Sequence, residues 1–106
     1  MSATPVTPGS ARSCLHLVVG PGAEALGDCL SHSQPRDAVL FLDAGVLHLL
    51  HDGGAPVVGV AEAHFSAADL QAHGLLERAR RLGVSVIDDA AFCAVLSRHP
   101  HCLTWT

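Results

Sequence analysis

Thiol chemistry is the first possibility that the residue types raise. The chain contains four cysteines, which are Cys14, Cys29, Cys93 and Cys102, and no two of them form a CxxC pair. Cys29 lies on the apolar stripe of a predicted helix, where it is either a small buried side chain or a thiol that accepts sulfane sulfur as a persulfide. An acceptor thiol has to be partly exposed and ionisable, and His32, three residues further on, could support its thiolate. Cys93, on the last predicted helix, is expected in the core.

Histidine is the second residue type that could do chemistry, since the chain has eight. His48 and His51 are three residues apart on a short predicted helix, and His99, His101 and Cys102 cluster near the end of the sequence. Neither group supplies four ligands at a recognised zinc spacing. We therefore expect no metal site. Metal binding through His99, His101 and Cys102 is the weaker alternative.

His16 is a different case, because it lies inside an apolar predicted strand. A polar side chain in such a position is usually buried with a hydrogen-bond partner. We expect His16 to be a packed histidine at an interface or pocket rather than a catalyst.

Nucleotide binding is disfavoured by the residues that follow the first predicted strand. A dinucleotide site needs the pattern G-x-G-x-x-G there, but residues 20–25 read GPGAEA. Proline removes a backbone donor, and Glu24 puts a negative charge where a phosphate would lie. The chain has no lysine, which argues against a P-loop and a phosphorelay receiver, and it has no Ser/Thr-rich phosphate loop of the flavodoxin kind. We expect no cofactor.

The hydrophobic pattern predicts strands that alternate with helices. The predicted strands are 14–19, 38–42, one within 56–65 (centred on either 57–60 or 61–65), 84–87 and 102–105. The predicted helices are 23–33, 45–51, 66–82 and 88–98. This alternation predicts a single doubly wound, mostly parallel five-stranded sheet with helices on both faces. The commonest strand order of this flavodoxin-like class is 2-1-3-4-5.

The centre of the predicted sheet is the uninterrupted apolar run at residues 39–42. A strand without polar alternation is typical of one that is covered on both faces. Open parallel sheets place their sites at the carboxyl ends of such strands. Asp43 and Gly45, at the end of this run, and Asp88, after the fourth strand, are therefore candidate pocket residues.

Length and composition indicate one domain with an aliphatic core. Of the 106 residues, 49% are hydrophobic and only 4% aromatic. Residues 1–13, rich in proline and serine, are expected to form a disordered leader, and residues 14–106 a single domain. A domain of this size buries a modest share of its surface, which favours burial against partner subunits.

Charge and hydropathy also restrict the partners and the location. The formal charge is -4 and all six basic residues are arginines, so we expect no direct nucleic-acid binding. No signal peptide and no apolar run of roughly 20 residues is visible. A cytoplasmic protein with reduced thiols is the simplest prediction.

Seven short segments, in their order and spacing, carry a family resemblance. They are Leu15-His16-Leu17-Val18, Cys29-Leu30, Asp37-Ala38-Val39-Leu40, Asp43-Ala44-Gly45-Val46, the segment from Asp69 to Leu75, Val86-Ile87-Asp88 with Phe92, and Thr104-Trp105. Together they resemble the DsrH/TusB family of sulfur-relay subunits from Leu15 to Trp105. Ala44, His73 and Asp89 depart from the family pattern, which has Asp, Arg and an aromatic residue at these positions.

The resemblance implies a cytoplasmic subunit of a heterohexamer with two sister proteins of the same fold. In that family the principal persulfide cysteine belongs to a sister subunit. The complex exchanges sulfur with upstream and downstream carrier proteins, either toward 2-thiolation of wobble uridine in tRNA or within dissimilatory sulfur oxidation. Some members carry a cysteine in the first helix, at the position of Cys29.

Two functional hypotheses follow. In the first, the chain is a non-catalytic or accessory subunit of a sulfurtransferase complex, with Cys29 as a secondary persulfide acceptor. His16, Asp43, Gly45, Asp88 and Trp105 are its expected interface or pocket residues. In the second, the chain is a stand-alone regulatory domain that binds a small ligand near Asp43, Gly45 and Asp88.

Overall fold

The computed structural model describes residues 13–50 and 62–106. Its elements are β1 (Cys14–Val18), α1 (Ala23–His32), β2 (Ala38–Phe41), a 3₁₀ helix (Asp43–Leu50), β3 (Glu62–Ser66), α2 (Ala67–Ala72), α3 (Leu76–Leu82), β4 (Val86–Ile87), α4 (Asp89–Ser97) and β5 (His101–Trp105). Residues 1–12 of the predicted leader, His51 and the stretch 57–60 lie outside the described residues. The strand β3 falls where the second of the two predicted centres, 61–65, placed it.

All described strands pair in parallel in one five-stranded sheet, which confirms the predicted α/β class. The strand order is β4-β3-β2-β1-β5, so the predicted order 2-1-3-4-5 was wrong. The chain advances one strand at a time in one direction from β1 to β4. Among the described strands the direction reverses once, when β5 returns to pair with the far side of β1.

This winding distributes the helices unequally between the two faces of the sheet. Right-handed crossovers in one direction place their helices on one face, and a reversed crossover places its helix on the other. The core therefore has two clusters. The larger unites β1, β2 and β3 with α1, the 3₁₀ helix, α2 and α3, and the smaller unites β1 and β2 with α4. We name these sides the α1 face and the α4 face.

The strand β2 is the centre of both clusters, as its unbroken apolar run predicted. All four of its residues are buried. Val39 and Phe41 pack in the α1-face cluster, whereas Ala38 and Leu40 pack in the α4-face cluster. Phe41 also stacks on Phe65 of β3, with ring centroids 4.5 Å apart.

The predicted helix 66–82 is in fact two helices, α2 and α3. The break lies at Gly74, whose φ of +71° is left-handed and costs little without a Cβ. The backbone N–H of Leu75 then donates to the carbonyl of Leu70 across 2.7 Å, which closes the turn. Gly83, with φ +75°, ends α3 in the predicted C-cap position.

The α4 face is thinly covered, because α4 is the one described helix that packs on it. Only Val95 of this helix is buried. Cys93 is exposed, so its predicted core position was wrong, since the helix shows most of its circumference to solvent. None of the described helices is long and apolar enough to cross a membrane.

Candidate functional site

A cleft opens on the α4 face of the sheet, at the carboxyl ends of β2, β3 and β4. The strands β3 and β4 are paired up to these ends, at Ser66 and Ile87, but from β3 the chain continues into α2 on the α1 face, and from β4 into α4 on the α4 face. Neighbouring strands whose connections leave toward opposite faces mark the place where open α/β sheets bind ligands. The cleft here has a volume of about 190 Å³.

The cleft has an apolar floor and an acidic rim. Its lining consists of Leu40, Leu42, Ile87 and Phe92 with Ala68, and of the polar residues Ser66, Asp69, Asp88 and Asp89. Asp88 Oδ1 accepts the N–H of Ala91 across 2.8 Å and so caps α4. Because three carboxylates surround the opening, the cleft disfavours anionic ligands.

Of the three predicted pocket residues, the structure places Asp88 on the cleft and Asp43 in contact with its lining, whereas Gly45 lies away from it. Asp43 is exposed with a φ of +53°, and its backbone N–H donates to Asp69 Oδ2 across 2.7 Å. Gly45 is buried against β1, where an added Cβ would lie 1.8 Å from the carbonyl oxygen of Val18. Gly45 therefore allows close backbone approach and does not line the cleft.

His16 is the centre of a hydrogen-bonded chain on the α1 face. The Trp105 indole N–H donates to His16 Nδ1 across 3.0 Å, and His16 Nε2 lies 2.9 Å from Asp37 Oδ2. An indole N–H can only donate, so Nδ1 carries no proton and Nε2–H donates to the carboxylate. His16 is 1% exposed. This is the packed, hydrogen-bonded histidine that the sequence predicted.

Asp37 is the member of this hydrogen-bonded network whose role was not predicted from the sequence. Its carboxylate also accepts the backbone N–H groups of Cys14 and Gln34, each across 3.0 Å. Burial raises the pKa of Asp37, but the hydrogen bonds from Gln34, His16 and Cys14 outweigh it and hold the pKa below its usual value. The sequence feature that could have indicated this role was an acidic residue directly before an entirely apolar strand.

Cys29 is fully buried in the α1-face cluster, at 0% exposure. Burial raises the pKa of its thiol to about 11, although the Ser33 hydroxyl, 3.9 Å from Sγ, lowers it. His32 does not provide the support that its spacing suggested, because its ring contacts the carbonyl of Asp28 and the Trp105 indole. The thiol of the isolated chain is thus neutral at physiological pH.

We expect iodoacetamide at neutral pH to alkylate the exposed Cys93 well before Cys29. A rise in thiol pKa from 9.0 to about 11 lowers the thiolate fraction about a hundredfold, and burial slows the reaction further. Pulsed alkylation with peptide mass spectrometry measures both rates. The urea-unfolded chain is the control, in which both thiols react alike. Equal rates in the folded chain would show that Cys29 is accessible.

A second polar row lies on the α4 face, and no residue of it was singled out from the sequence. His64 Nδ1 lies 2.6 Å from Ser85 Oγ, and His64 Nε2 lies 2.7 Å from Glu62 Oε2. Glu62 also accepts from the Arg98 guanidinium at 3.1 and 3.4 Å. The available signal was the i, i+2 spacing of Glu62 and His64 in a strand, which places both on one face.

One histidine from each of the two groups considered as metal ligands has another partner. His99 Nδ1 lies 2.9 Å from Ser13 Oγ, and His48 Nε2 lies 2.9 Å from the carbonyl oxygen of Gly20. Within residues 13–50 and 62–106, no three His, Cys, Asp or Glu side chains are placed to share a metal ion. In the described part of the chain, His99, His101 and Cys102 therefore do not form a ligand set.

Fold and cleft define an open, parallel α/β protein with a crevice at the carboxyl ends of its strands. Comparison with family models and with curated proteins found no match for this chain. The resemblance to sulfur-relay subunits is therefore a prediction that rests on the residues of the chain itself.

Proposed function

We propose that the chain is a mainly structural subunit of a cytoplasmic sulfur-relay complex, a heterohexamer with two sister chains of the same fold. It forms part of the interface around a sister subunit's persulfide. The sulfur goes toward 2-thiolation of wobble uridine in tRNA, with dissimilatory sulfur oxidation as the alternative destination. The chain itself is an accessory subunit, because sulfur transfer requires a thiolate that can approach the terminal persulfide sulfur.

The observation that carries this proposal is that the segments of the resemblance contact one another directly. His16 in the first segment bonds to Asp37 in the third, and Trp105 in the last bonds to His16. The backbone of Asp43 bonds to the Asp69 carboxylate. Segments scattered over the sequence thus form connected clusters, which favours a shared structural pattern over chance similarity.

The state of Cys29 supports an accessory role. A persulfide acceptor has to present a thiolate, whereas the Cys29 thiol is buried and its pKa is raised to about 11. As a secondary acceptor, Cys29 would have to become exposed in the complex. In the chain by itself, Cys29 is a packing residue of α1.

The surface offers two regions where sister chains could pack. The strand β5 is an edge of the sheet, and its residues 101–104 are exposed, so one row of its backbone groups is available for contact. One described helix covers the α4 face, and its Leu96 is 40% exposed. A small domain with such surfaces gains stability from partner subunits.

Co-purification from the native cell tests the proposal. We expect tagged chain to recover two small sister proteins, one of them with an added 32-Da sulfur atom on a cysteine. Because Cys29 is a packing residue here, Cys29→Ala should recover the same partners and leave the sister's persulfide in place. Recovery of the chain without partners or persulfide would refute the relay proposal. Loss of the sister's persulfide in Cys29→Ala would make Cys29 an acceptor.

The cleft at the carboxyl ends of β2, β3 and β4 favours a second candidate, a stand-alone domain that binds a small ligand. The connections that follow β3 and β4 leave toward opposite faces there, and this is where the fold class binds ligands. A monomer that purifies without partners but with a bound small molecule would support this candidate over the relay subunit. Native mass spectrometry of the untagged chain distinguishes the two.

A further inference from the structure

The row Ser85–His64–Glu62 has the order of a nucleophile, a base and an orienting acid. Burial raises the pKa of Glu62, but hydrogen bonds from His64 and Arg98 outweigh burial and lower it below its usual value. An ionised carboxylate only accepts, so His64 Nε2 carries the proton that bonds to Glu62. His64 Nδ1 therefore presents its lone pair to the Ser85 hydroxyl, 2.6 Å away. This is how a neighbouring base activates a serine.

The two ring nitrogens are used in the reverse order to that of serine proteases, where Nε2 faces the serine. Either nitrogen of a neutral imidazole can accept a proton, provided that the other nitrogen carries one. Glu62 enforces this tautomer, and the two Arg98 contacts at 3.1 and 3.4 Å hold the Glu62 carboxylate in place. Glu62 is thus a positioning residue, and Ser85 and His64 are the reacting pair. Ser85 is exposed, so a substrate can reach it.

We propose that Ser85 is the nucleophile of an esterase-type site that hydrolyses small neutral carboxylic esters. Ser85 Oγ bonds to the ester carbonyl carbon while its proton moves to His64 Nδ1. The bond to the alcohol oxygen then breaks, and the departing alcohol takes the proton from His64. Water attacks the acyl-serine, gives a proton to His64 and releases the acid, and His64 returns the proton to Ser85.

The substrate class follows from the cleft. The cleft lies on the same face of the sheet as Ser85 and His64, further along the same two strands. Ile87 is two residues after Ser85 and Ser66 two residues after His64, so the cleft begins about 7 Å further along the strands. Its volume of about 190 Å³ suits an acyl group of a few carbons. The apolar floor accepts this group, and the carboxylates of Asp88 and Asp89 repel anionic esters.

A fluorophosphonate probe tests the nucleophile, because such probes modify activated serines. We expect peptide mapping of the labelled full chain to place the probe on Ser85. Ser85→Ala should abolish that label. The matched control is Ser97→Ala, since Ser97 is an exposed serine whose hydroxyl donates to the Ala94 carbonyl and, within the described residues, bonds to no histidine or carboxylate. Absence of label on Ser85 in the folded wild-type chain would overturn the proposal.

Variants of Glu62 separate the positioning role from a structural one. We expect Glu62→Gln to slow labelling of Ser85 roughly a hundredfold, and Glu62→Asp, which keeps the charge, to restore part of the rate. Circular dichroism confirms that each variant is folded. If folded wild type and folded Glu62→Gln were labelled equally fast, the assignment of Ser85 as a base-activated nucleophile would be wrong. Neither measurement involves a partner chain, so failure leaves the relay proposal standing.

Discussion

Gly45→Ala is expected to destabilise the fold by about 3 kcal/mol or more. An alanine Cβ would lie 1.8 Å from the carbonyl oxygen of Val18, which is backbone and cannot rotate away. The same oxygen accepts the N–H of Leu42 across 3.1 Å. The substitution therefore pushes the 3₁₀ helix off β1 and breaks a hydrogen bond at the carboxyl end of β2. Urea unfolding with circular dichroism as the readout measures the loss.

The matched control for this substitution is Gly27→Ala. Gly27 lies in the middle of α1, is exposed, and has nothing within 4 Å of an added Cβ. A helical glycine costs roughly 0.5–1 kcal/mol relative to alanine, so this variant should be more stable than wild type. The same substitution at the two positions is thus expected to change the free energy of unfolding in opposite directions. An unchanged unfolding midpoint in Gly45→Ala would contradict the close approach of the 3₁₀ helix to β1.

Asp37→Ala is expected to cost about 3–5 kcal/mol. The carboxylate accepts from His16 Nε2 and from the backbone N–H groups of Cys14 and Gln34. Its removal leaves the His16 donor unpaired in the interior and also removes the two backbone hydrogen bonds. Trp105 is the single tryptophan of the chain and donates to His16. Its fluorescence during urea unfolding therefore reports on this network directly.

The control for this variant is Asp28→Ala, which removes the same charge from an exposed position on α1. A surface substitution of this kind usually changes the free energy of unfolding by less than about 0.5 kcal/mol. Equal effects of the two substitutions would show that the Asp37 carboxylate is not the acceptor that joins β1 and β2.

The cost of Asp37→Ala should also depend on pH. The hydrogen bonds of Asp37 hold its pKa below its ordinary value of 3.8. A carboxylate with a depressed folded pKa stabilises the fold fully above its unfolded pKa, and loses this effect as the pH falls through the folded value. The difference between wild type and variant should therefore be constant near neutral pH and shrink below about pH 4. A constant difference down to pH 2 would contradict this assignment.

Local patterns predicted the elements well where one residue decides the backbone conformation. The unbroken apolar run at 39–42 indicated the fully buried β2, Ala38–Phe41, because both faces of a central strand exclude water. Asp88 caps α4 and Gly83 ends α3, because a side-chain acceptor and a missing Cβ act within a single turn. The break at Gly74 was missed, since a glycine inside a helical pattern is compatible with either a continuous or a divided helix.

Such local patterns could not predict the strand order. The orders 2-1-3-4-5 and 4-3-2-1-5 have the same alternation of strands and helices along the chain. They differ in which strands hydrogen-bond to each other, and that depends on crossovers between distant residues. The position of β5 beside β1 also decides that a single described helix covers the α4 face.

The sequence by itself determined the α/β class, the central strand, and the candidate residues His16, Asp88 and Cys29, because these depend on residue type and short spacing. Only the tertiary structure decided what each of them does. Pairing of β1, β2 and β5 brings Asp37 and Trp105 to His16, and pairing of β3 with β4 brings Ser85 to His64. Packing of α1 decided that Cys29 is buried and its pKa raised, because the exposure of a side chain depends on what covers it.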